Sequence, residues 1–188
     1  MSLFPIGTKL LIDGPHGNGL DLSTTYKNKK PLLLIGAGSA ITTIRNVVHS
    51  ISKDQECNIL YSAKSIKDIP YLDEVNQWKM NPNNYFSLTQ EASPDFHHGR
   101  INSHLEMRNI TGNTNILLCG PDSFIRETAL LLLEKHGHEK ENIFVSLNDK
   151  NAKDGPIYQL TDAILERLKP TISEDAEDSA KKKRLSNS

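Results

Sequence analysis

The chain has 188 residues, 37% of them hydrophobic, and a formal net charge of -1 at pH 7. That length favours one principal domain, and so small a charge excludes a general attraction to nucleic acid or to an anionic membrane. No apolar run reaches membrane-spanning length, no signal-peptide pattern opens the sequence, and the two cysteines, Cys57 and Cys119, each beside an apolar run, suit the reducing cytoplasm better than a disulfide framework.

The first segment, Gly7 to Leu22, pairs a short strand candidate at Lys9 to Asp13 with the turn-forming Gly14-Pro15 and Gly17-Asn18-Gly19. It is too short to be a domain and reads as the end of something larger, with the polar stretch Thr24 to Lys30 as a linker. The apolar run Leu32 to Ile35 then enters Gly36-Ala37-Gly38-Ser39, after which Ile41, Ile44, Val48 and Ile51 recur near helical spacing. This is a buried strand, a glycine turn and an amphipathic helix. Bare glycine backbone at a helix start suits the approach of a phosphate, although such turns also join strands to helices with no ligand.

A second strand is expected at Cys57 to Ala63. Pro70 suits a first helical turn, and Leu72, Val75 and Trp78 give a helical face ending near Met80. Asn81 to Asn84 is a break, Tyr85 to Leu88 a short strand, Gln90 to Gly99 a loop carrying His97-His98, and Ile101 to Met107 a short helix. Asn115 to Cys119 reads as a buried strand running into Gly120-Pro121-Asp122-Ser123 and a helix lined by Phe124, Ile125, Thr128, Ala129, Leu132 and Leu133. That helix stops at Lys135-His136-Gly137. Asn142 to Leu147 is a last strand, Asn148 to Gly155 a loop, and Tyr158 to Leu168 a helix closed by Pro170. The serine-rich segment 171–188, with acidic residues ahead of Lys181 to Arg184, has the composition of a disordered tail.

Alternating strands and helices predict an α/β fold: a doubly wound, three-layer parallel sheet of about five strands. Its ligand crevice belongs at the C-terminal strand ends, at the switch in strand order. Gly36 to Ser39, Ser62 to Ser65, Thr89-Gln90 and Gly120 to Ser123 all fall at such ends. The dinucleotide fingerprint G-x-G-x-x-G fails at Ile41, and Lys64 and Ser65 stand where an acidic ribose ligand belongs. Lys64 suits a phosphate or ribose edge as well as it suits a solvated loop. Cys119-Gly120-Pro121 places a small polarizable group beside a planar ligand, or is a buried cysteine before an ordinary turn. His97-His98 and His136/His138 lack closed metal-site spacing, so no metal is expected. A G-x-S-x-G nucleophile elbow is absent.

Together, Gly36-Ala37-Gly38-Ser39-Ala40-Ile41-Thr42-Thr43, Leu60 to Ser65, Gly99-Arg100-Ile101 and Cys119-Gly120-Pro121 resemble the NAD(P)-binding half of the ferredoxin–NADP reductase superfamily. Gly14-Pro15-His16-Gly17-Asn18-Gly19-Leu20 and Ser146-Leu147-Asn148 are similar to the type formed by dihydroorotate dehydrogenase electron-transfer subunits and sulfhydrogenase gamma subunits. Three positions depart from the pattern: Ala40 replaces a glycine, Thr43 a proline and Phe124 a methionine.

The resemblance implies electron transfer from NAD(P)H through a flavin to a downstream acceptor, with NAD or NADP as cofactor. It implies FAD or FMN only where a barrel or partner chain supplies the flavin site; the loop after Asn148 lacks the cysteines that hold an iron–sulfur cluster in the narrower relatives, so none is expected on this chain. It implies that Cys119 lies near the nicotinamide C4 as the catalytic position. Gly36, Gly38, Ser39, Thr42, Lys64, Gly120, Pro121 and Asp122 would contact the nucleotide, and Gly14, Pro15, Gly17 and Asn18 the flavin side. Residues 1–24 would be the end of a flavin barrel, 31–148 the nucleotide domain, 156–170 a C-terminal helix and 171–188 a tail. Turnover by this chain alone is not expected. The alternative is a non-catalytic nucleotide- or partner-binding module of the same fold.

Overall fold

The computed structural model describes residues 7–9, 30–108, 110, 112–147 and 157–169. The expected strand through Asp13, the residues Gly14, Pro15, Gly17 and Asn18, the loop from Asn148 to Gly155 and the tail 171–188 lie outside the described residues.

Strand β1 (Leu32–Ala37) is the centre of the sheet. Leu32 to Ile35 are all buried, as a strand covered on both faces requires. On one side β1 pairs in parallel with β2 (Cys57–Ala63), then β3 (Tyr85–Leu88) and β4 (His97–His98). On the other it pairs with β5 (Asn115–Cys119), β6 (Ile143–Ser146) and β7 (Ile157–Gln159), the last antiparallel. The order β4-β3-β2-β1-β5-β6-β7 reverses direction between β1 and β5, which is the switch point of a doubly wound sheet.

Side chains alternate cleanly between two cores. Leu32, Leu34, Ile59, Tyr61, Leu117 and Cys119 face helix α1 (Ile41–Ser50) and helix α2 (Leu72–Trp78). Leu33, Ile35, Leu60, Ile116 and Leu118 face α3 (Ile101–Met107), α4 (Asp122–Glu134) and α5 (Asp162–Arg167). No described helix is long and apolar enough to cross a membrane.

The sheet has seven strands rather than about five, and both additions lie at its edges. His97-His98, expected within a loop, pairs with Ser87 and Leu88. Burial of Phe96, a Gly99 N–H donated to the Leu88 carbonyl at 2.9 Å, and stacking of His97 on Tyr85 at 4.3 Å hold it there. Tyr158 to Leu168 is not one helix. Residues Ile157–Gln159 form β7, and Thr161 then caps α5, its hydroxyl accepting the Ile164 N–H at 3.3 Å. Leu160 and Leu168 are both buried against one face, so the helical spacing reports burial across a change of backbone. Pro70 does not begin a helical turn either; α2 starts at Leu72, after a left-handed Tyr71 (φ 58°) whose ring lies under the Arg45 guanidinium at 4.7 Å.

Gly36 fixes how closely α1 lies on the sheet. A Cβ there would stand 2.6 Å from Ile44 Cδ1, 3.3 Å from the Ala40 Cβ and 3.4 Å from the Cys119 carbonyl oxygen. Gly36→Val should therefore lower the unfolding free energy by about 1–3 kcal/mol through overpacking, read as a lower urea midpoint at unchanged slope; an unchanged midpoint would show that the helix has room to move.

Candidate functional site

A cleft of about 970 Å³ opens at the C-terminal ends of β1, β2, β5 and β6, on the switch point. One wall is the turn between β1 and α1, where Gly38, Ser39, Ala40, Thr42 and Thr43 line the opening. Gly38 is left-handed (φ +60°), a conformation that favours glycine, and its missing side chain leaves open space above the backbone. No side chain caps the 3₁₀ turn Gly38–Ala40 or the start of α1, and neither first turn carries an acidic residue. The Ile41 N–H is taken by the Gly38 and Ser39 carbonyls, so the leading N–H groups of the turn, with the helix dipole, make this wall receptive to an anion.

Tyr61 holds the turn from below. Its buried hydroxyl donates to the Gly38 carbonyl at 2.7 Å, and burial, with the nearby Asp68 carboxylate, pushes its pKa up to about 12. The donor proton is thus retained at all ordinary pH values. In the ladder Tyr61 sits beside Gly36, whose other neighbour is Cys119. Thr42 tightens the same turn by donating its hydroxyl to the Ser39 carbonyl at 2.9 Å.

The opposite wall is Cys119-Gly120-Pro121 and the start of α4. Cys119 is only 2% exposed. Burial pushes its thiol up to about 12, against a hydrogen bond with Ser146 on β6 that pulls the other way. Such a sulfur is a neutral, soft contact surface and not a nucleophile. Asp122 occupies the first turn of α4 and already supplies negative charge at that helix start. Of the helix starts on these two walls, that of α1 is the one with no acidic residue in its first turn.

The structure brings Gly38, Ser39, Thr42, Lys64, Cys119, Gly120, Pro121 and Asp122 around one cleft. Gly36 is not among its lining residues; it lies beneath the floor, where its missing side chain admits α1 rather than a ligand. Gly14, Pro15, Gly17 and Asn18 are outside the described residues. Arg100, Asn102, Phe124, Glu127 and Ser146 also line the cleft, and none of them was singled out as a ligand contact. Arg100 reaches it from the start of α3 and pairs with Glu127 of α4 at 4.0 Å, both side chains well exposed. A cation next to a glycine and a helix start was the available signal for Arg100. Tyr61 gave none beyond its place in an apolar strand. Among the described residues, no group of three or more His, Cys, Asp or Glu side chains is placed to hold a metal ion.

Comparison with known proteins gives concordant matches. The family model described as the oxidoreductase NAD-binding domain matches residues 34–129, which run from β1 through the cleft walls into α4. The probable dihydroorotate dehydrogenase B (NAD(+)) electron transfer subunit of Thermoplasma volcanium is 29% identical over 126 residues, covering 67% of this chain and 44% of that protein. NADH-cytochrome b5 reductase 3 of Rattus norvegicus is 29% identical over 127 residues, covering 61% and 42%. A crystal structure of flavohemoglobin from Malassezia yamatoensis with bound FAD and heme superposes with a TM-score of 0.54 at 28% identity, over 66% of this chain and 33% of that one. The chain thus spans less than half the length of these relatives.

The neutral state of Cys119 predicts its chemistry. In the native full chain at pH 8, iodoacetamide should leave Cys119 unmodified while the urea-unfolded chain reacts readily, as mass spectrometry of digests will show. Rapid native labelling would mean that the thiol is exposed or ionised.

Proposed function

The chain belongs to the oxidoreductase NAD-binding domain family, and from that premise we propose that its cleft binds NADH or NADPH and presents the nicotinamide to a flavin held by another domain or chain. One observation carries the reading. At the switch point, an anion-receptive turn faces a wall formed by the neutral Cys119 thiol, Gly120, Pro121 and Phe124, with the acidic Asp122 at its helix start, across a cleft of about 970 Å³. That volume is at the upper end for small-molecule sites and is not too narrow for a dinucleotide.

The residues present fit such a ligand. The backbone of Gly38 to Thr42 would hold the pyrophosphate, with Lys64 and Arg100 as the cations that line the same cleft. Cys119, Gly120 and Pro121 would receive the nicotinamide, the thiol acting as an uncharged packing surface that leaves the ring unmodified. When bound, the reduced nicotinamide supplies a hydride from C4 to an acceptor. The chain's own contribution is orientation: a turn fixed by Tyr61, the wall formed by Cys119, Gly120 and Pro121, and exclusion of water by the buried floor beneath.

FAD or FMN enters this account through a partner. Residues 1–24 are proposed as the end of a flavin-binding barrel, with Gly14, Pro15, Gly17 and Asn18 on its flavin side. Residues 31–148 are then the nucleotide domain, completed by β7 and α5, which join its sheet and core, and 171–188 a tail. What supports a flavin held elsewhere is that one relative is an electron transfer subunit by name and that the flavohemoglobin holds FAD. Turnover needs that flavin, and the cytoplasm is the compartment that suits two free cysteines.

Titration calorimetry of the full chain with NADH and NADPH should detect binding of at least one at millimolar nucleotide. Lys64→Ala should weaken it by about two- to fivefold, the range of an exposed ion pair, and less so at high salt. No heat of binding from either nucleotide would refute the proposal.

A further inference from the structure

We infer that Phe124 is the aromatic wall on which the nicotinamide ring rests, a positioning residue one helical turn beyond Cys119-Gly120-Pro121. The inference rests on the dinucleotide reading of the cleft and adds to it the group that selects a flat ring at that end. Three observations carry it. First, Phe124 is the one aromatic side chain among the described residues that line the cleft, and it belongs to α4, the helix that follows Cys119-Gly120-Pro121. Second, its ring is pinned against bare backbone. A Cβ at Gly120 would lie 2.8 Å from Phe124 Cδ1 and 3.4 Å from Cε1, so the missing side chain at Gly120 (φ +155°) is what makes room for the ring. Third, the ring is only partly buried, packed against the core of α3 and α4 while still contributing to the cleft wall.

A ring held by backbone on one side gives up little freedom when it receives a planar ligand on the other. Stacking on an aromatic face is favourable for any flat heteroaromatic ring, and adds to simple burial of apolar area. The phosphates and adenosine have no such platform on this wall. Asp122, two positions earlier at the same helix start, disfavours a phosphate there. Phe124 therefore affects the nicotinamide end of the ligand selectively.

The test compares two ligands on three versions of the full chain. NADH carries the nicotinamide ring and ADP-ribose lacks it. Phe124→Leu keeps an apolar side chain without the ring, and Phe124→Tyr keeps the ring; urea unfolding of each verifies that it folds. Phe124→Leu should weaken NADH by about three- to tenfold, the range of one aromatic stacking contact, and leave ADP-ribose affinity unchanged. Phe124→Tyr should retain wild-type affinity for both. An equal loss for both ligands would overturn the inference, because the ring would then act only by supporting the Gly120 turn. Unchanged NADH affinity in Phe124→Leu, with ADP-ribose still bound by the wild type, would overturn it while leaving the nucleotide reading intact. Wild-type chain that binds neither ligand would overturn both.

Discussion

The absence of a side chain at Gly36 is the constraint on which the rest of the site depends. It stands in the central strand, between Tyr61 and Cys119 in the ladder. Because nothing projects from it, Ala40 and Ile44 settle directly on the sheet, and α1 begins close above the strand end. The turn that joins them is then short and left-handed at Gly38, and its carbonyl falls within reach of the Tyr61 hydroxyl at 2.7 Å. Close packing, the turn and the buried hydrogen bond form one unit. A buried donor of this kind contributes about 1 kcal/mol net and costs more when its partner is lost. The glycine read as a ligand contact therefore serves the ligand at one remove, by setting where the helix starts.

The two walls of the cleft differ in charge for reasons visible in single residues. The α1 wall has no acidic residue in its first turn and no side-chain cap, whereas Asp122 stands in the first turn of α4. Anion affinity is thus concentrated on one side. The other side presents a thiol that burial keeps neutral and an aromatic ring seated against Gly120. That asymmetry matches a ligand with charged phosphates at one place and an uncharged flat ring at another. It also explains why departures from the reductase pattern at Ala40 and Phe124 leave a cleft of full size: the Ala40 methyl packs toward Gly36, and Phe124 fits the space beside Gly120.

Much of this was legible in the residues because its signals are local. The run Leu32 to Ile35 into Gly36-Ala37-Gly38, and Asn115 to Cys119 into Gly120-Pro121, each carry strand, turn and helix start within a few positions, and both walls of the cleft follow from them. What stayed hidden depends on tertiary partners. The Tyr61 hydroxyl finds Gly38 23 positions away. His97-His98 becomes a strand only because an edge of β3 is free to pair with it. The spacing of Leu160, Ile164 and Leu168 imitates one helix although β7 ends before Thr161, since both pieces bury toward the same core. Gly99-Arg100-Ile101 is visible as a motif, but Arg100 lines the cleft beside Glu127 only once α3 and α4 are packed together.

The most direct measurement of the central claim is a map of amide chemical-shift changes in the full chain as NADH is added. The largest changes should fall on Gly38 to Thr42 and on Cys119 to Phe124, the two walls at the switch point, with Lys64 and Arg100 moving less. Saturable changes confined to other surfaces, with both walls unmoved, would contradict that claim.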